Sequence, residues 1–173
     1  LDQGIPVNFI LNEACSAGCG SFLETYADSL GVKVEEIAEL AFQSESPSRL
    51  GSRCTVFMNS SIITEQKNGR PLSDILAGLC HSVVENALTK VLRISNLALL
   101  GDNIVVQGGT FKNDAVFRAF QMRLKRNVVR PDHPGEMGAY GIALLTKAEM
   151  ERRGEESRFS FQQVNEFSSR PRP

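Results

Sequence analysis

Two cysteines stand where a thiol can do chemistry. Cys15 lies in the small-residue segment 12–24, and Cys54 opens the segment 54–57, each near the start of a predicted helix. A helix N-terminus stabilises negative charge, so a thiol that lies there ionises more readily and can act as a metal ligand or a nucleophile. We therefore take Cys15 and Cys54 as candidate metal ligands.

The number of thiols limits what one chain can hold. Cys19 lies four residues after Cys15, but neither C-x-x-C nor C-x-x-C-x-x-C occurs, so there is no self-contained zinc or iron–sulfur motif. Two well-placed cysteines, or three with Cys19, fall short of four ligands, and a cluster would have to be shared between two chains. The alternative is that these cysteines are inert. Cys80 falls on the apolar stripe of the longest predicted helix and is expected in the core.

A second candidate site is a buried strand that opens into two glycines. Residues 104–107 are followed by Gly108, Gly109 and Thr110 and then by a predicted helix. Glycines at this point let main-chain amides face a phosphate or a ribose, with a helix N-terminus behind them. The sequence has no G-x-G-x-x-G and no Walker motif, so the two commonest nucleotide-binding folds are not indicated. The segment by itself is equally compatible with a tight turn that binds nothing.

Two histidines are weaker candidates. His81 lies at the edge of the apolar stripe that contains Cys80, which is typical of a boundary residue. His133 lies between Pro131 and Pro134 in a predicted loop, where it could approach a ligand. Neither has a partner histidine at helical spacing.

The hydrophobic pattern predicts the elements that carry these residues. Helices are predicted over residues 21–30, 34–42, 56–67, 71–93, 114–125 and 137–152, and strands over 7–11, 103–107 and 127–129. The order strand, turn, helix, strand near the two glycines implies a parallel crossover, and hence an α/β fold.

Composition and charge exclude several classes of protein. The chain has 173 residues and a net charge of −1, with its charges well mixed, so nothing indicates a nucleic-acid or membrane surface. It has no apolar run long enough for a membrane helix, no signal peptide, and cysteines that suit a reducing compartment, so we expect a cytoplasmic protein.

The first residues of the sequence resemble the middle of a chain rather than its start. We expect residues 1–150 to form one domain excised from a longer protein, and the polar residues 151–173 to form a poorly ordered tail.

Together, these segments resemble the ATPase activators of 2-hydroxyacyl-CoA dehydratases and the related ATPase subunits of benzoyl-CoA reductase, members of the acetate kinase, sugar kinase, Hsp70 and actin superfamily. Four ordered motifs between about Phe9 and Leu145 carry the resemblance. They contain Asn12, Cys15, Gly18, Gly20, Phe22, Leu23 and Glu24; Cys54-Thr55-Val56-Phe57; Gly108-Gly109 with Lys112-Asn113; and Pro131, Pro134, Met137, Gly138, Ala139 and Gly141. The resemblance implies a helix-rich, actin-like (ribonuclease H-like) ATPase lobe, the second of two.

The resemblance also implies roles for the site residues. Cys15 and Cys54 of two lobes would hold one [4Fe-4S] cluster across a dimer interface, and ATP would drive low-potential electron transfer through it to an acyl-CoA dehydratase or reductase in anaerobic metabolism. The turn at 108–110 would line the ribose and α-phosphate, with Lys112 nearby. Gly18 and Gly20 would border the nucleotide or shape the Cys15 loop.

The chain departs from the family pattern in three respects. Cys19 stands where the family usually has Thr, Asn59 replaces an acidic residue, and the loops that grip the β- and γ-phosphates and Mg²⁺ are missing. We therefore expect ATP or ADP with Mg²⁺ in the full-length parent, assign no catalytic residue, and expect no hydrolysis by this chain alone. Two alternatives remain: a sugar-kinase-like phosphotransferase lobe with incidental cysteines, and a non-catalytic regulatory module of the same fold.

Overall fold

The structure is a computed structural model that describes residues 9–11, 20–52, 55–93 and 97–154. Its regular elements, in chain order, are α1 (Gly20–Leu30), α2 (Ile37–Phe42), α3 (Thr55–Lys67), α4 (Leu72–Asn86), β1 (Ile104–Val105), α5 (Asp114–Leu124), β2 (Val128–Val129) and α6 (Met137–Arg153). Short 3₁₀ helices occur at Val34–Glu36, Leu97–Leu100 and Gly109–Lys112. The chain divides into two compact units, Leu1–Met137 and Gly138–Pro173.

The predicted helices are confirmed, with two local differences. The helix predicted from residue 34 begins as a 3₁₀ turn, where the backbone N–H of Lys33 donates to the Glu36 carboxylate at 2.9 Å. The helix predicted over 71–93 is α-helical only to Asn86 and continues as a π-helical turn over Ala87–Val91. Hydrophobic spacing cannot separate these forms, because all of them place apolar residues on one face.

The predicted parallel crossover is also confirmed. β1 and β2 pair in parallel, with Ile104 opposite Val128 and Val105 opposite Val129, and α5 connects them. The paired strands are shorter than predicted, since residues 103, 106, 107 and 127 lie outside them, although the N–H of Val106 still donates to the backbone oxygen of Val129 at 2.9 Å. The strand predicted over 7–11 is not found in residues 9–11, and the rest of it lies outside the described residues.

The core of the first unit surrounds α4, which contacts α1, α2, α3 and α5. A helix that carries apolar residues around most of its circumference is stable only when most of it is buried. The fully buried side chains include Ile75, Leu76, Leu79 and Val84 on α4, Phe22 and Leu23 on α1, Ile37 on α2, Met58 on α3 and Val116 on α5. Each such side chain stabilises the fold by roughly 1.5–3 kcal/mol relative to exposure to water.

One face of α4 is polar although it is buried. Asp74, Gly78 and Ser82 are spaced by four residues and therefore form a single stripe, the α4 polar stripe. The Asp74 carboxylate, 5 % exposed, accepts hydrogen bonds from the Ser44 hydroxyl at 2.7 Å and from the backbone N–H of Ser46 at 3.2 Å. A buried carboxylate needs such donors, since it would otherwise lose its hydration without compensation.

The same stripe binds the next part of the loop over residues 44–52. A Cβ at Gly78 would overlap the backbone oxygen of Ser48, so the loop can lie against α4 only because residue 78 has no side chain. The Ser82 hydroxyl donates to the backbone oxygen of Gly51 at 2.6 Å. The loop is thus held along two turns of α4, and it ends two residues before Cys54 in the sequence.

The second unit contains α6. Four large apolar side chains of this helix are mostly exposed in this chain: Tyr140, Ile142, Leu144 and Leu145. Arg152 and Arg153 both donate to the Glu149 carboxylate at 2.7–2.8 Å, near the helix C-terminus, where cations are favoured. No helix among the described residues is long and apolar enough to cross a lipid bilayer.

We predict that Gly78→Ala destabilises the protein by about 1–3 kcal/mol, because the new methyl group must displace the backbone of Ser48. Gly141→Ala in α6 is the matched control, since no described atom lies within 4 Å of a Cβ at that position. There, the better helix propensity of alanine should be neutral or stabilise by up to about 1 kcal/mol. Urea unfolding of both variants measures the difference, and equal effects would contradict the close approach of the loop to α4.

We also predict a pH dependence that comes from Asp74. The hydrogen bond from Ser44, aided by the Ser46 N–H and by the charge of Arg70, lowers the pKa of Asp74 despite the opposing effect of burial. A carboxylate with a lowered pKa stabilises the folded state above its unfolded pKa, and this contribution is lost as the pH falls through its folded pKa. The stability difference between wild type and Asp74→Asn should therefore be large near pH 7 and shrink below about pH 4. A constant difference across this range would exclude Asp74 as the source.

Candidate functional site

The turn after β1 is shaped by a glycine in a conformation that other residues avoid. Gly108 has φ 102° and ψ 161°, which places it in the region that favours glycine. Its N–H donates to the backbone oxygen of Pro134 at 2.6 Å. The turn that follows β1 is therefore fastened to the loop that follows β2, and both lie at the carboxyl ends of the parallel strands, where α/β proteins place their ligands.

The helix behind this turn begins with an ordered cap. The side chain of Asn113 accepts a hydrogen bond from the backbone N–H of Val116 at 3.1 Å, which satisfies one of the free donors of the first turn of α5. The two residues of the predicted Lys112-Asn113 motif therefore have different roles. Asn113 begins the helix, and Lys112 is left to face outward.

Arg130, at the end of β2, is held on three sides. Its guanidinium pairs with Asp114 at 2.7 Å, donates to the backbone oxygen of Phe111 at 3.0 Å, and lies 4.5 Å from the centre of the Phe117 ring. A guanidinium with this many partners is a structural link between β2 and the start of α5. Arg130 is therefore not a free cation.

Lys112 is held by the loop that follows β2. Its ammonium group pairs with the Glu136 carboxylate at 2.7 Å, and both side chains are 58 % exposed. The hydrogen bond from Lys112 is the largest cause of a lowered pKa at Glu136, so this carboxylate is ionised at neutral pH. Gly135 makes the arrangement possible, because a Cβ there would lie 2.5 Å from Cε of Lys112.

These groups surround a cleft of about 380 Å³, which we name the strand-end cleft. Its lining residues are Lys112, Arg130, Pro131, Asp132, His133, Pro134 and Glu136. His133, a weak candidate from sequence, does line this cleft. The sequence analysis did not identify Glu136 as a site residue, because nothing in its neighbouring sequence indicates that it pairs with Lys112, 24 residues earlier.

The structure brings together two segments that are far apart in sequence. Gly20, the first residue of α1, lies beside Thr110, and a Cβ at Gly20 would be 3.5 Å from the Thr110 hydroxyl oxygen, an ordinary contact distance. The segment that carries the first motif therefore meets the glycine turn. Among the described residues, the structure places the predicted site residue Gly20 beside the turn that contains Gly108, Gly109 and Thr110. It places the predicted site residue Lys112 in the lining of the strand-end cleft.

The other predicted site residues are Cys15, Gly18 and Cys54, and these, with Cys19, lie outside the described residues. Cys19 immediately precedes α1 and Cys54 immediately precedes α3 in the chain. Within the described residues, no group of three or more His, Cys, Asp or Glu side chains could hold a metal ion.

The described cysteine and its neighbour confirm the sequence analysis. Cys80 is 1 % exposed and has a free thiol in the core, where burial raises its pKa to about 12. His81 is half-buried, and its burial lowers its pKa despite the nearby charge of Glu85. Neither residue lies at the strand-end cleft.

We predict that Cys80 does not react with a thiol reagent at pH 8 in the folded protein, since almost no thiolate is present and the sulfur is inaccessible. Cys80→Ala should lower the free energy of unfolding by about 1 kcal/mol, because it leaves a small cavity. Mass spectrometry after brief labelling, with and without urea, checks the first point. Rapid labelling of Cys80 without urea would place it outside the core.

Comparison with known proteins identifies the family. The chain matches the BadF/BadG/BcrA/BcrD ATPase family over residues 1–146, and it belongs to this family. It is 36 % identical over 143 residues to the activator of lactoyl-CoA dehydratase of Anaerotignum propionicum, covering 83 % of this chain and 54 % of that protein. It is 32 % identical over 143 residues to the 2-hydroxyisocaproyl-CoA dehydratase activator of Clostridioides difficile, covering 83 % of this chain and 52 % of that protein.

A solved structure gives the same result for the fold. The activator of the 2-hydroxyisocaproyl-CoA dehydratase from Clostridium difficile, with bound ADPNP, superposes with a TM-score of 0.77 at 29 % identity, covering 92 % of this chain and 59 % of that chain. The predicted fold class, a helix-rich α/β lobe of the actin-like ATPases, is thereby confirmed. The chain spans about half the length of the curated relatives that it matches.

Proposed function

We propose that this chain is the nucleotide-binding and cluster-binding lobe of an ATP-driven activator of a 2-hydroxyacyl-CoA dehydratase or an acyl-CoA reductase. Family membership and the names of the relatives support this class of function. Within the structure, the main support is that Gly20 lies beside Thr110, in the turn that follows β1. It joins the motif that contains Cys15 to the turn that is suited to a nucleotide.

In this proposal the turn over Gly108, Gly109 and Thr110 takes the ribose and α-phosphate of ATP. The positive φ of Gly108 and the absence of side chains at both glycines leave the backbone open to a ligand. Gly20 borders the same site from α1. The sequence lacks the motifs for the loops that grip the β- and γ-phosphates and Mg²⁺, so we expect no ATP hydrolysis by this lobe alone. The relative with bound ADPNP supports an adenine nucleotide as the ligand.

The donor set of the chain fits an iron–sulfur cluster. A [4Fe-4S] cluster takes four thiolates, and Cys15 and Cys54 from each of two lobes supply four. Cys54 comes directly before the first residue of α3, a position that favours a thiolate. When bound, the cluster would accept one electron and pass it to the partner enzyme. The two lobes would come from a homodimer or a duplicated domain.

The residues of the chain also provide a route between nucleotide and cluster. Gly20 is five residues after Cys15 and lies beside Thr110 of the proposed nucleotide turn. The α4 polar stripe holds the loop that precedes Cys54 against the core. A shift of the turn on ATP binding would therefore move the Cys15 segment while the approach to Cys54 stays fixed. Such a differential movement is what a nucleotide-controlled interface between two lobes requires.

We predict that the full-length protein, purified without oxygen, contains one [4Fe-4S] cluster per pair of lobes and hydrolyses ATP. Cys15→Ser or Cys54→Ser should abolish the cluster absorbance at the blue edge of the visible spectrum and weaken dimerisation, because each removes two of four ligands from the shared site. Cys19→Ser is the matched control and should spare both. Iron and sulfide analysis, absorption spectra and sedimentation measure these effects.

The results of these experiments distinguish the proposed activator from a sugar kinase and from a non-catalytic regulatory module. Equal losses in all three cysteine variants would mean that one chain supplies three ligands, which contradicts a shared cluster. A protein that lacks a cluster and phosphorylates a sugar would be a kinase. A protein that lacks both the cluster and ATP turnover would be a regulatory module of the same fold.

A further inference from the structure

The strand-end cleft has a charge balance that does not suit a phosphate. Its charged lining residues are two cations, Lys112 and Arg130, and two anions, Asp132 and Glu136. Both cations are already paired, Arg130 with Asp114 and Lys112 with Glu136, each at 2.7 Å. A phosphate entering the cleft would find these cations neutralised and would approach two carboxylates. The cleft therefore favours an uncharged polar group.

The Lys112–Glu136 pair presents hydrogen-bonding groups of opposite kinds side by side. An ammonium group only donates, and an ionised carboxylate only accepts. Both side chains are 58 % exposed, so each keeps hydrogen-bonding capacity that a ligand can use. A donor next to an acceptor is the complement of two neighbouring hydroxyl groups, each of which donates once and accepts. In a nucleotide, this arrangement occurs in the ribose.

We propose that Glu136 and Lys112 bind the ribose hydroxyls of the nucleotide, with Glu136 as the residue that selects ribonucleotides over deoxyribonucleotides. The inference rests on the proposed nucleotide-binding function and identifies what this part of the site recognises. The position of Glu136 agrees with it, because the loop that carries Glu136 is bonded to the glycine turn through Gly108 and Pro134. Ribose bound at the pair would leave the phosphates on the side of Gly109 and Thr110.

Gly135 acts as a positioning residue for this pair. A Cβ at residue 135 would lie 2.5 Å from Cε and 3.0 Å from Nζ of Lys112. Because these atoms form the far end of a flexible side chain, Gly135→Ala would turn Lys112 away without disturbing the backbone. The substitution therefore moves the ammonium group without removing it. Gly138→Ala is the matched control, since no described atom lies within 4 Å of a Cβ there.

The test measures dissociation constants by calorimetry on the full-length protein with ATP, 2′-deoxy-ATP and 3′-deoxy-ATP. Wild type should bind at least one deoxy analogue about tenfold more weakly than ATP, as expected for the loss of a hydrogen bond to a charged group. Glu136→Ala should weaken ATP binding about tenfold and leave that analogue unchanged. Glu136→Gln, whose amide oxygen still accepts, should restore part of the loss. Gly135→Ala should weaken ATP binding at an unchanged melting temperature, and Gly138→Ala should not.

Three results would overturn the inference. Equal weakening of ATP and both deoxy analogues in Glu136→Ala would show that Glu136 does not contact a hydroxyl group. A Lys112→Ala variant that loses far more affinity for ATP than for AMP would show that Lys112 binds phosphate. Wild type that binds ATP and both deoxy analogues equally would contradict this inference alone, whereas wild type that binds no ATP would also overturn the proposed function.

Discussion

The burial of most of α4 is the constraint on which the rest of the first unit depends. In such a helix, burying a polar side chain without hydrogen-bond partners is costly, and burying an unpaired carboxylate costs most. Asp74 and Ser82 meet this requirement by binding the loop over residues 44–52, and Gly78 lets that loop come close enough to be bound. The interaction that completes the core therefore also directs the chain towards Cys54.

The sheet is small. Two strands with two paired residues each cannot by themselves orient the loops at their ends. Here the loops are fixed by bonds of their own: the N–H of Gly108 to the oxygen of Pro134, Arg130 to Asp114 and Phe111, and Lys112 to Glu136. The strand-end cleft is a product of these contacts between loops. Its shape should thus respond to a ligand more readily than the buried core around α4.

The position of Gly20 beside Thr110 is the physical basis of the proposed function. ATP can control a distant interface only if binding changes the energy of a segment that reaches that interface. In the proposed function Gly20 belongs to such a segment, because it lies beside Thr110 and Cys15 is five residues before it in the sequence. In the proposed function, the short stretch of chain between Cys15 and Gly20 is what would couple the cluster ligands to the nucleotide turn.

The sequence by itself determined the helices, the parallel crossover and the burial of Cys80, because each follows from hydrophobic periodicity or from the order of local elements. The sequence also predicted the turn at Gly108, because a backbone conformation with positive φ is usually occupied by glycine. Only the tertiary structure decided that α4 ends in a π-helical turn, that the strands stop after two residues, and that Glu136 lies beside Lys112. The strand pairing and the pair of Lys112 with Glu136 join residues that are 24 apart in the sequence, and such contacts leave no periodic or local signal. The π-helical turn leaves no signal because it keeps the apolar residues on the same face as an α-helix does.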